Sequence, residues 1–213
     1  MNMPLYESRP ITAGERKAAL ETLVAQTAPS REYYLLVVGA IGLALGALFL
    51  NSVATLIGAM VVAPLAYPIL GLGLGAAARD RQLFSRALTL LGVSLAAAVV
   101  LAFIGTHLFG ALRIDALTIT FTARPVLDFA VALIAGALAA YGLMRPKVGG
   151  AMTGVGIAVS LMPPLVATGV YVADGLLALA GDAFLIFAMN VLGIFIASAL
   201  VFRFLRISGG EQK

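Results

Sequence analysis

Six long apolar segments, separated by short polar stretches, follow a polar beginning of the chain. Each segment is long enough to cross a hydrocarbon core of about 30 Å as a helix. A span must be helical because lipid offers no partners to backbone N–H and C=O groups. The pattern therefore predicts an all-α, polytopic membrane helix bundle with six transmembrane helices. They cover residues 33–50, 53–75, 86–109, 126–144, 148–173 and 183–205.

Residues 1–32 form a polar segment before the first predicted span. Thr12 and Glu15 have the spacing of a capping box, and Leu20 and Leu23 add a narrow apolar stripe. These features favour a short cytoplasmic amphipathic helix at the membrane surface over a gate or a partner site. No basic stretch leads into an apolar run with a small-residue cleavage site, so we expect no cleaved signal peptide.

Composition supports the membrane interpretation and narrows the available chemistry. Hydrophobic residues make up 62% of the 213 residues and charged residues only 11%, whereas soluble domains carry about 25% charged residues. A soluble globular enzyme and a disordered protein are therefore excluded. The chain has no cysteine and a single histidine, His107. We expect no thiolate chemistry, no metal site and no cofactor.

The net charge of +4 is explained by where the basic residues lie between the spans. Lys and Arg accumulate on the cytoplasmic side of membrane proteins. With both termini in the cytoplasm, twelve of the fourteen Lys and Arg residues lie inside, and only Arg113 and Arg124 lie outside. We therefore expect a multi-pass protein of the inner cell membrane with both termini cytoplasmic. Its partner is the lipid bilayer and not nucleic acid.

The two halves of the apolar region, 33–109 and 126–205, resemble each other, and a short cytoplasmic tail at 206–213 follows them. Each half contains three spans, so the second half enters the membrane from the opposite side. The sequence thus predicts two inverted three-helix repeats, an arrangement found in many secondary transporters. Four residues of the second span recur 96 positions later: Gly58 as Gly154, Leu65 as Leu161, Pro68 as Pro164 and Gly73 as Gly169.

Prolines lie in the middle of both second spans, Pro64 and Pro68 in the first half and Pro163 and Pro164 in the second. Proline lacks an N–H and its ring clashes with the carbonyl four residues earlier, which kinks or breaks a helix. The freed backbone groups need a partner, and a solute bound near the membrane midplane is one such partner. A kink that only shapes helix packing is equally compatible with this pattern.

Few polar side chains fall inside the predicted spans, and they are candidates for a solute site because buried polarity is costly in lipid. Asn190 lies in the middle of the sixth span, either as an interhelical hydrogen-bond partner or as a solute ligand. No Asp, Glu, Lys or Arg lies near the middle of a span, which argues against a carboxylate-based antiporter. No catalytic constellation is present, so we expect no enzyme. The candidate substrate-binding residues are Asn51, Pro64, Pro68, Ser160, Pro163, Pro164 and Asn190.

The same residues belong to a pattern that resembles a known family. The first half contains Asn51-Ser52, Ile57-Gly-Ala-Met60, Pro64, Pro68-Ile-Leu-Gly71 and Asp80. The second half contains Arg124-Pro125, Asp128, Ala139-Ala-Tyr141, Arg145-Pro146, Gly154, Leu161, Pro163-Pro164, Gly169 and Asn190. Over residues 33–205 this resembles the bacterial and archaeal "uncharacterised hydrophobic domain" membrane family, the domain-of-unknown-function 389 family. The resemblance implies a multi-span membrane protein and no particular mechanism.

Two functions are compatible with these observations. The first is a transporter or channel for a small solute or ion, with a midplane site at the paired Pro-interrupted helices. The positive ends of half-helices would favour an anion or a dipolar solute there. The second is a non-transporting membrane assembly, sensor or scaffold protein, in which the kinks serve packing. Glycines four residues apart, such as Gly42 and Gly46, are also compatible with a homo-oligomer.

Overall fold

The computed structural model of the chain describes residues 12–110, 125–144 and 152–205, apart from the side chains of residues 13, 125 and 152–160. These residues form eight α-helices, and no strand occurs among them. The helices are α1 (Ala13–Gln26), α2 (Arg31–Phe49), α3 (Val53–Val62), α4 (Ala66–Ala78), α5 (Arg81–Phe109), α6 (Pro125–Leu143), α7 (Met152–Ala173) and α8 (Leu177–Phe204).

Several of these helices are long and apolar enough to cross a membrane. Four helices have this length and hydropathy by themselves, namely α2, α5, α6 and α8. α3 and α4 have it together, as a pair that bends by 45° at the break between them, which gives up to five candidate spans in the described chain. α7 is a 22-residue apolar helix, of which the shorter stretch Leu161–Ala173 has described side chains. The prediction of an all-helical multi-pass membrane protein is confirmed at this level.

Side-chain caps fix where four of the helices begin. The predicted capping box of α1 is present, because Thr12 Oγ1 accepts from the Glu15 N–H at 3.2 Å and the Glu15 carboxylate accepts from the Thr12 N–H at 2.9 Å. Ser30 and Ser52 cap α2 and α3 in the same way with their hydroxyl oxygens. Asp80 caps α5, accepting from two backbone N–H groups at 2.9 and 3.0 Å. Each cap satisfies donors that a helix leaves unpaired at its N-terminus.

Two helices extend further than the apolar pattern predicts. α5 begins at Arg81, five residues before the predicted third span, and α8 begins at Leu177, six residues before the predicted sixth span. Both extensions carry polar side chains, such as Arg81 and Asp182. Hydropathy marks the length that lies in the hydrocarbon, whereas the helix itself continues until a cap or a turn ends it. Outside the described residues lie most of the predicted loop between the third and fourth spans, the predicted loop at 145–147, the first residues of the predicted fifth span at 148–151, and the tail at 206–213.

α7 lies at the centre of the bundle. It packs against α2, α3, α4, α5, α6 and α8, and every residue from 161 to 171 is buried. The most extensive interface of all joins α6 to α8. α1 packs against α4 and buries Leu23 completely, so this amphipathic helix is docked onto the bundle.

Candidate functional site

The second predicted span is broken at Pro64. α3 ends at Val62, and its C-cap Ala63 adopts an extended conformation with φ −66° and ψ 121°. A residue before proline avoids the helical region because the proline ring clashes with its backbone. Pro68 has no such effect, since it lies in the first turn of α4, where a helix makes no use of the missing N–H. One of the two predicted prolines therefore makes the break, and the other begins the next half-helix.

The break leaves a helix N-terminus inside the bundle. Leu65 is the N-cap of α4, and within the described part of the chain no side chain makes a capping hydrogen bond there. Leu65 and Ala66 are only 1% and 3% exposed. The first N–H groups of a helix carry the positive end of its dipole, equivalent to about half an elementary charge. This end of α4 is therefore a buried, positively polarised group at membrane depth.

The corresponding segment of the second half is continuous. α7 runs from Met152 to Ala173 as one helix that contains Pro163 and Pro164 in its interior. The two prolines remove the N–H groups that would bond the carbonyls of residues 159 and 160. One turn later, the Thr168 hydroxyl donates to the Pro164 carbonyl at 2.8 Å, so this buried hydroxyl is satisfied within its own helix. The prediction allowed both second spans to be kinked or broken, and only the first is broken.

Most of the candidate residues lie on helices that share one neighbourhood. α3 and α4, on either side of Pro64, both pack on α7, and α8 packs on α4 and on α7. Asn190 of α8 is buried, with 4% of its surface exposed, and it has a polar partner. The side chain of Ser160 lies outside the described residues.

Asn51 lies apart from this neighbourhood. It is exposed in the turn between α2 and α3 and has a φ of 48°, in the left-handed region that asparagine tolerates better than most residues. Next to it, Ser52 Oγ and Thr55 Oγ1 are 2.9 Å apart in the cap of α3. Asn51 is therefore a turn residue, separated from Pro64 along the chain by the whole of α3.

Two cavities of the described chain lie elsewhere. One is an apolar groove between α5 and α8, and the other is a polar recess at the turn between α4 and α5. Neither is lined by Pro64, Pro163 or Asn190. Around the described part of α7 the bundle is closely packed, with Leu161, Met162 and the residues that follow fully buried.

Two glycines that match across the halves make equivalent contacts. A Cβ on Gly73 of α4 would lie 3.0 Å from Ser198 Cβ and 3.1 Å from the Ala199 nitrogen of α8. A Cβ on Gly169 of α7 would lie 2.6 Å from the Val99 carbonyl oxygen of α5. Each glycine thus lets the second span of one half touch the third span of the other. The match at a spacing of 96 residues paired these two glycines, but the sequence did not show which helix each glycine faces.

A buried polar contact in the first half was not predicted. Tyr33 of α2 and Ser94 of α5 are joined by a hydrogen bond of 2.8 Å, and the Ser94 hydroxyl also lies 2.8 Å from the Leu90 carbonyl. Since a serine hydroxyl has one proton, Ser94 donates to that carbonyl and accepts from Tyr33. A tyrosine at the start of a span and a serine in the middle of another were visible in the sequence, but their pairing depends on tertiary packing.

The described residues contain no group of three or more His, Cys, Asp or Glu side chains that could hold a metal ion. The site therefore consists of backbone polar groups, prolines, small residues and one amide side chain. Such a set can bind or pass a solute, or pack helices, by hydrogen bonding and shape.

Comparison with known proteins places the chain in a family. The profile described as "Domain of unknown function (DUF389)" matches residues 60–196, well over half of the chain. The uncharacterized protein MJ0678 of Methanocaldococcus jannaschii is 27% identical over 176 residues, which is 81% of this chain and 54% of that protein. The chain thus spans about half the length of this curated relative. No solved structure matches it. The match includes both proline pairs and Asn190, and the chain belongs to the DUF389 family of membrane proteins.

Proposed function

We propose that the chain forms a pathway for a small solute or ion, with its site at the break between α3 and α4. The observation that carries this proposal is the buried N-terminus of α4, which has no side-chain cap in the described structure. Unpaired backbone N–H groups are costly in lipid, so a bound solute or an ordered water is the natural partner for them. The proposal assigns no catalysis and no cofactor to the chain.

The polarity of the break favours one class of solute, a small anion or a zwitterion. The positive end of the α4 dipole and its first N–H groups attract an anion or the negative end of a dipolar solute. The last carbonyls of α3 lie on the other side of the same break and offer acceptors to a cation or a donor group. A small anion or a zwitterion fits this pair of half-helix ends better than a bare cation does, since the buried end belongs to α4.

We further propose that the chain has six spans arranged as two inverted repeats. It lies in the inner cell membrane with both termini in the cytoplasm. The packing supports the repeat arrangement, because α4 contacts α8 and α5 contacts α7, and exchanging the two halves converts one contact into the other. The matched contacts of Gly73 and Gly169 support it at single residues. Inverted repeats place a solute site at the interrupted helices near the midplane, where the α3–α4 break lies.

A second candidate function is that of a non-transporting membrane assembly, sensor or scaffold protein. Close packing around the described part of α7 favours it, because a permanently open pathway would leave a cavity there. In this function the proline segments serve packing, and the exposed glycines of α2 are available for a homo-oligomer. The two functions differ in whether the protein moves a solute across a bilayer.

A flux assay in proteoliposomes tests the proposal. Purified protein is reconstituted and loaded in turn with chloride, nitrate, glycine, potassium and glycerol, beside empty liposomes. We expect flux of an anion or of the zwitterion, and a loss of at least tenfold in the variants Pro64→Ala and Asn190→Leu. Pro64→Ala restores an N–H at the break, and Asn190→Leu removes the one amide side chain from the middle of α8.

Asn51→Gly is the matched control, because glycine adopts the observed φ of 48° without strain. Unchanged flux in this variant would make Asn51 a turn residue, and reduced flux would bring it into the pathway. Protein that is folded and inserted but moves none of the solutes would overturn the transport proposal in favour of the assembly function. Flux that survives both test variants would place the pathway away from the break.

A further inference from the structure

An apolar groove runs along the outside of the bundle between α5 and α8. Its volume is about 520 Å³, and its lining is almost entirely apolar. Leu72 of α4 contributes to the lining, since α5 and α8 both pack on α4 and on α7. Leu88 and Leu192 stand on its two sides with 53% and 46% of their surfaces exposed, so the groove opens to the surroundings of the bundle.

One end of this groove is basic. Phe84 lines the groove and also the recess at the turn between α4 and α5, so the two cavities are adjacent at this residue. The recess is lined by Arg79 and Arg81, both exposed. Neither guanidinium forms an ion pair with any described residue, and the Asp80 carboxylate between them is engaged by backbone N–H groups of α5. Two positive charges are therefore available where the apolar groove ends.

The dimensions of the groove match one leaflet of a bilayer. Along α5 its lining extends from Phe84 to Leu95, eleven residues or about 16 Å at 1.5 Å per residue. Half of a hydrocarbon core is about 15 Å thick. The rings of Phe84 and Phe195 lie 6.3 Å apart and mark the basic end on both helices. An acyl chain that starts at the arginines can therefore follow the groove to the middle of the membrane.

We propose that this groove and its basic end form a binding site for an anionic phospholipid. Arg79 and Arg81 contact the phosphate of the headgroup, and an acyl chain lies in the groove between α5 and α8. Clusters of basic side chains between helices on the cytoplasmic side are suited to anionic headgroups. The predicted orientation places these arginines at that side, facing a leaflet that carries anionic lipid.

A lipid fits this surface better than a second copy of the chain does. The surface combines an apolar groove with two arginines at one end that form no ion pair with any described residue, which is the amphipathic pattern of a single phospholipid. A second copy would have to supply an anion at the arginines. On the described helices the groove itself offers none, because its lining contains no acidic side chain.

Native mass spectrometry of the detergent-purified protein tests the site. The full chain is titrated with phosphatidylglycerol and with phosphatidylcholine that carry the same acyl chains. We expect the anionic lipid to bind about 25-fold more tightly, since each of the two basic residues near a membrane surface adds about fivefold to such an affinity. The double variant Arg79→Gln/Arg81→Gln should abolish this preference. The variant Gly92→Leu should weaken both lipids, because Gly92 lines the groove and its added side chain meets open space.

Matched controls separate the site from general effects. Arg31→Gln/Arg203→Gln removes the same charge from exposed positions outside the site and should leave the preference intact. Gly39→Leu adds the same side chain on α2, where a Cβ also meets open space, and should leave lipid binding unchanged.

Three results would overturn the proposal. The first is equal binding of the two lipids, or a preference that survives loss of both arginines. The second is binding of glycerol 3-phosphate as tight as that of the lipid, since a phosphate site without chains does not use the groove. The third is a dimer signal that Gly92→Leu removes and lipid does not reduce, which would assign the groove to a second copy.

Discussion

The predicted second spans of the two halves of the sequence differ in how they accommodate proline. In the first half the helix stops at Val62 and restarts at Ala66, and in the second it continues through Pro163 and Pro164. The position that matches Pro64 is occupied by Ser160, which keeps its N–H. The difference teaches that the placement of a proline, and not its presence, decides whether a membrane helix breaks. Burial of the helix on all sides then holds a proline-containing segment helical, as it does in α7.

The halves also differ in how the helices of their first and third predicted spans are joined. In the first half a hydrogen bond links Tyr33 of α2 to Ser94 of α5. In the second half α6 and α8 meet through glycines, with Gly136 lying against Ile194 and Gly193 lying against Ala132. Close backbone contact needs small residues in membranes, where no hydrophobic effect drives helices together. The α6–α8 interface is therefore the more extensive of the two, and it brings backbone against backbone.

The largest expected effect comes from breaking the close contact of the second half. A Cβ on Gly136 would lie 2.6 Å from the Ile194 Cα and 2.7 Å from its carbonyl oxygen. Backbone atoms in the middle of a helix cannot move aside cheaply, so Gly136→Ala should cost about 3 kcal/mol of unfolding free energy. Thermal unfolding in detergent measures this loss. Gly58→Ala is the control, because its Cβ meets open space and should leave stability unchanged or slightly raised.

The next effect compares the matched glycines between the halves. In Gly169→Ala the new Cβ would lie 2.6 Å from the Val99 carbonyl oxygen and 2.7 Å from the Ala102 Cβ. In Gly73→Ala the new Cβ would meet mainly the Ser198 side chain. A side chain adjusts more readily than backbone, so we expect losses of about 2 kcal/mol for Gly169→Ala and about 1 kcal/mol for Gly73→Ala. The same unfolding assay gives both values. Equal losses would contradict the difference between the backbone contact of Gly169 and the side-chain contact of Gly73, and no loss in either variant would contradict the close packing at both glycines.

A smaller effect with opposite signs should distinguish the two proline segments. Pro164→Ala restores an N–H within a backbone that is already helical, so it should raise the unfolding free energy by about 1 kcal/mol. Pro64→Ala removes a constraint from an extended junction and should lower it by about 0.5 kcal/mol. Unfolding midpoints of the two variants, measured together with the wild type, test the signs. A gain in both variants would mean that the break does not depend on Pro64.

Much of the fold was predictable because it depends on local signals. The apolar segments located the helices, and Thr12 with Glu15 located the start of α1. The positions of Pro64 and Pro68 predicted a kink or break in the second span, but only the extended conformation of Ala63 shows which proline causes the break. The groove at Phe84 and the contacts of the matched glycines were not predictable, because they depend on which helices become neighbours.

The smallest expected effect concerns the hydrogen bond that joins α2 to α5 in the first half. Tyr33→Phe removes the hydroxyl that donates to Ser94, while Ser94 keeps its bond to the Leu90 carbonyl and is not left unpaired. Interhelical hydrogen bonds in membrane proteins contribute about 0.6 kcal/mol on average, and we expect a loss of that size. Ser94→Ala should cost more, because it also removes the bond to the Leu90 carbonyl and leaves the buried Tyr33 hydroxyl without this partner. The double variant should cost less than the sum of the two single losses, because both single variants remove the Tyr33–Ser94 bond. Additive losses in this cycle, measured by thermal unfolding, would show that Tyr33 and Ser94 stabilise the protein independently.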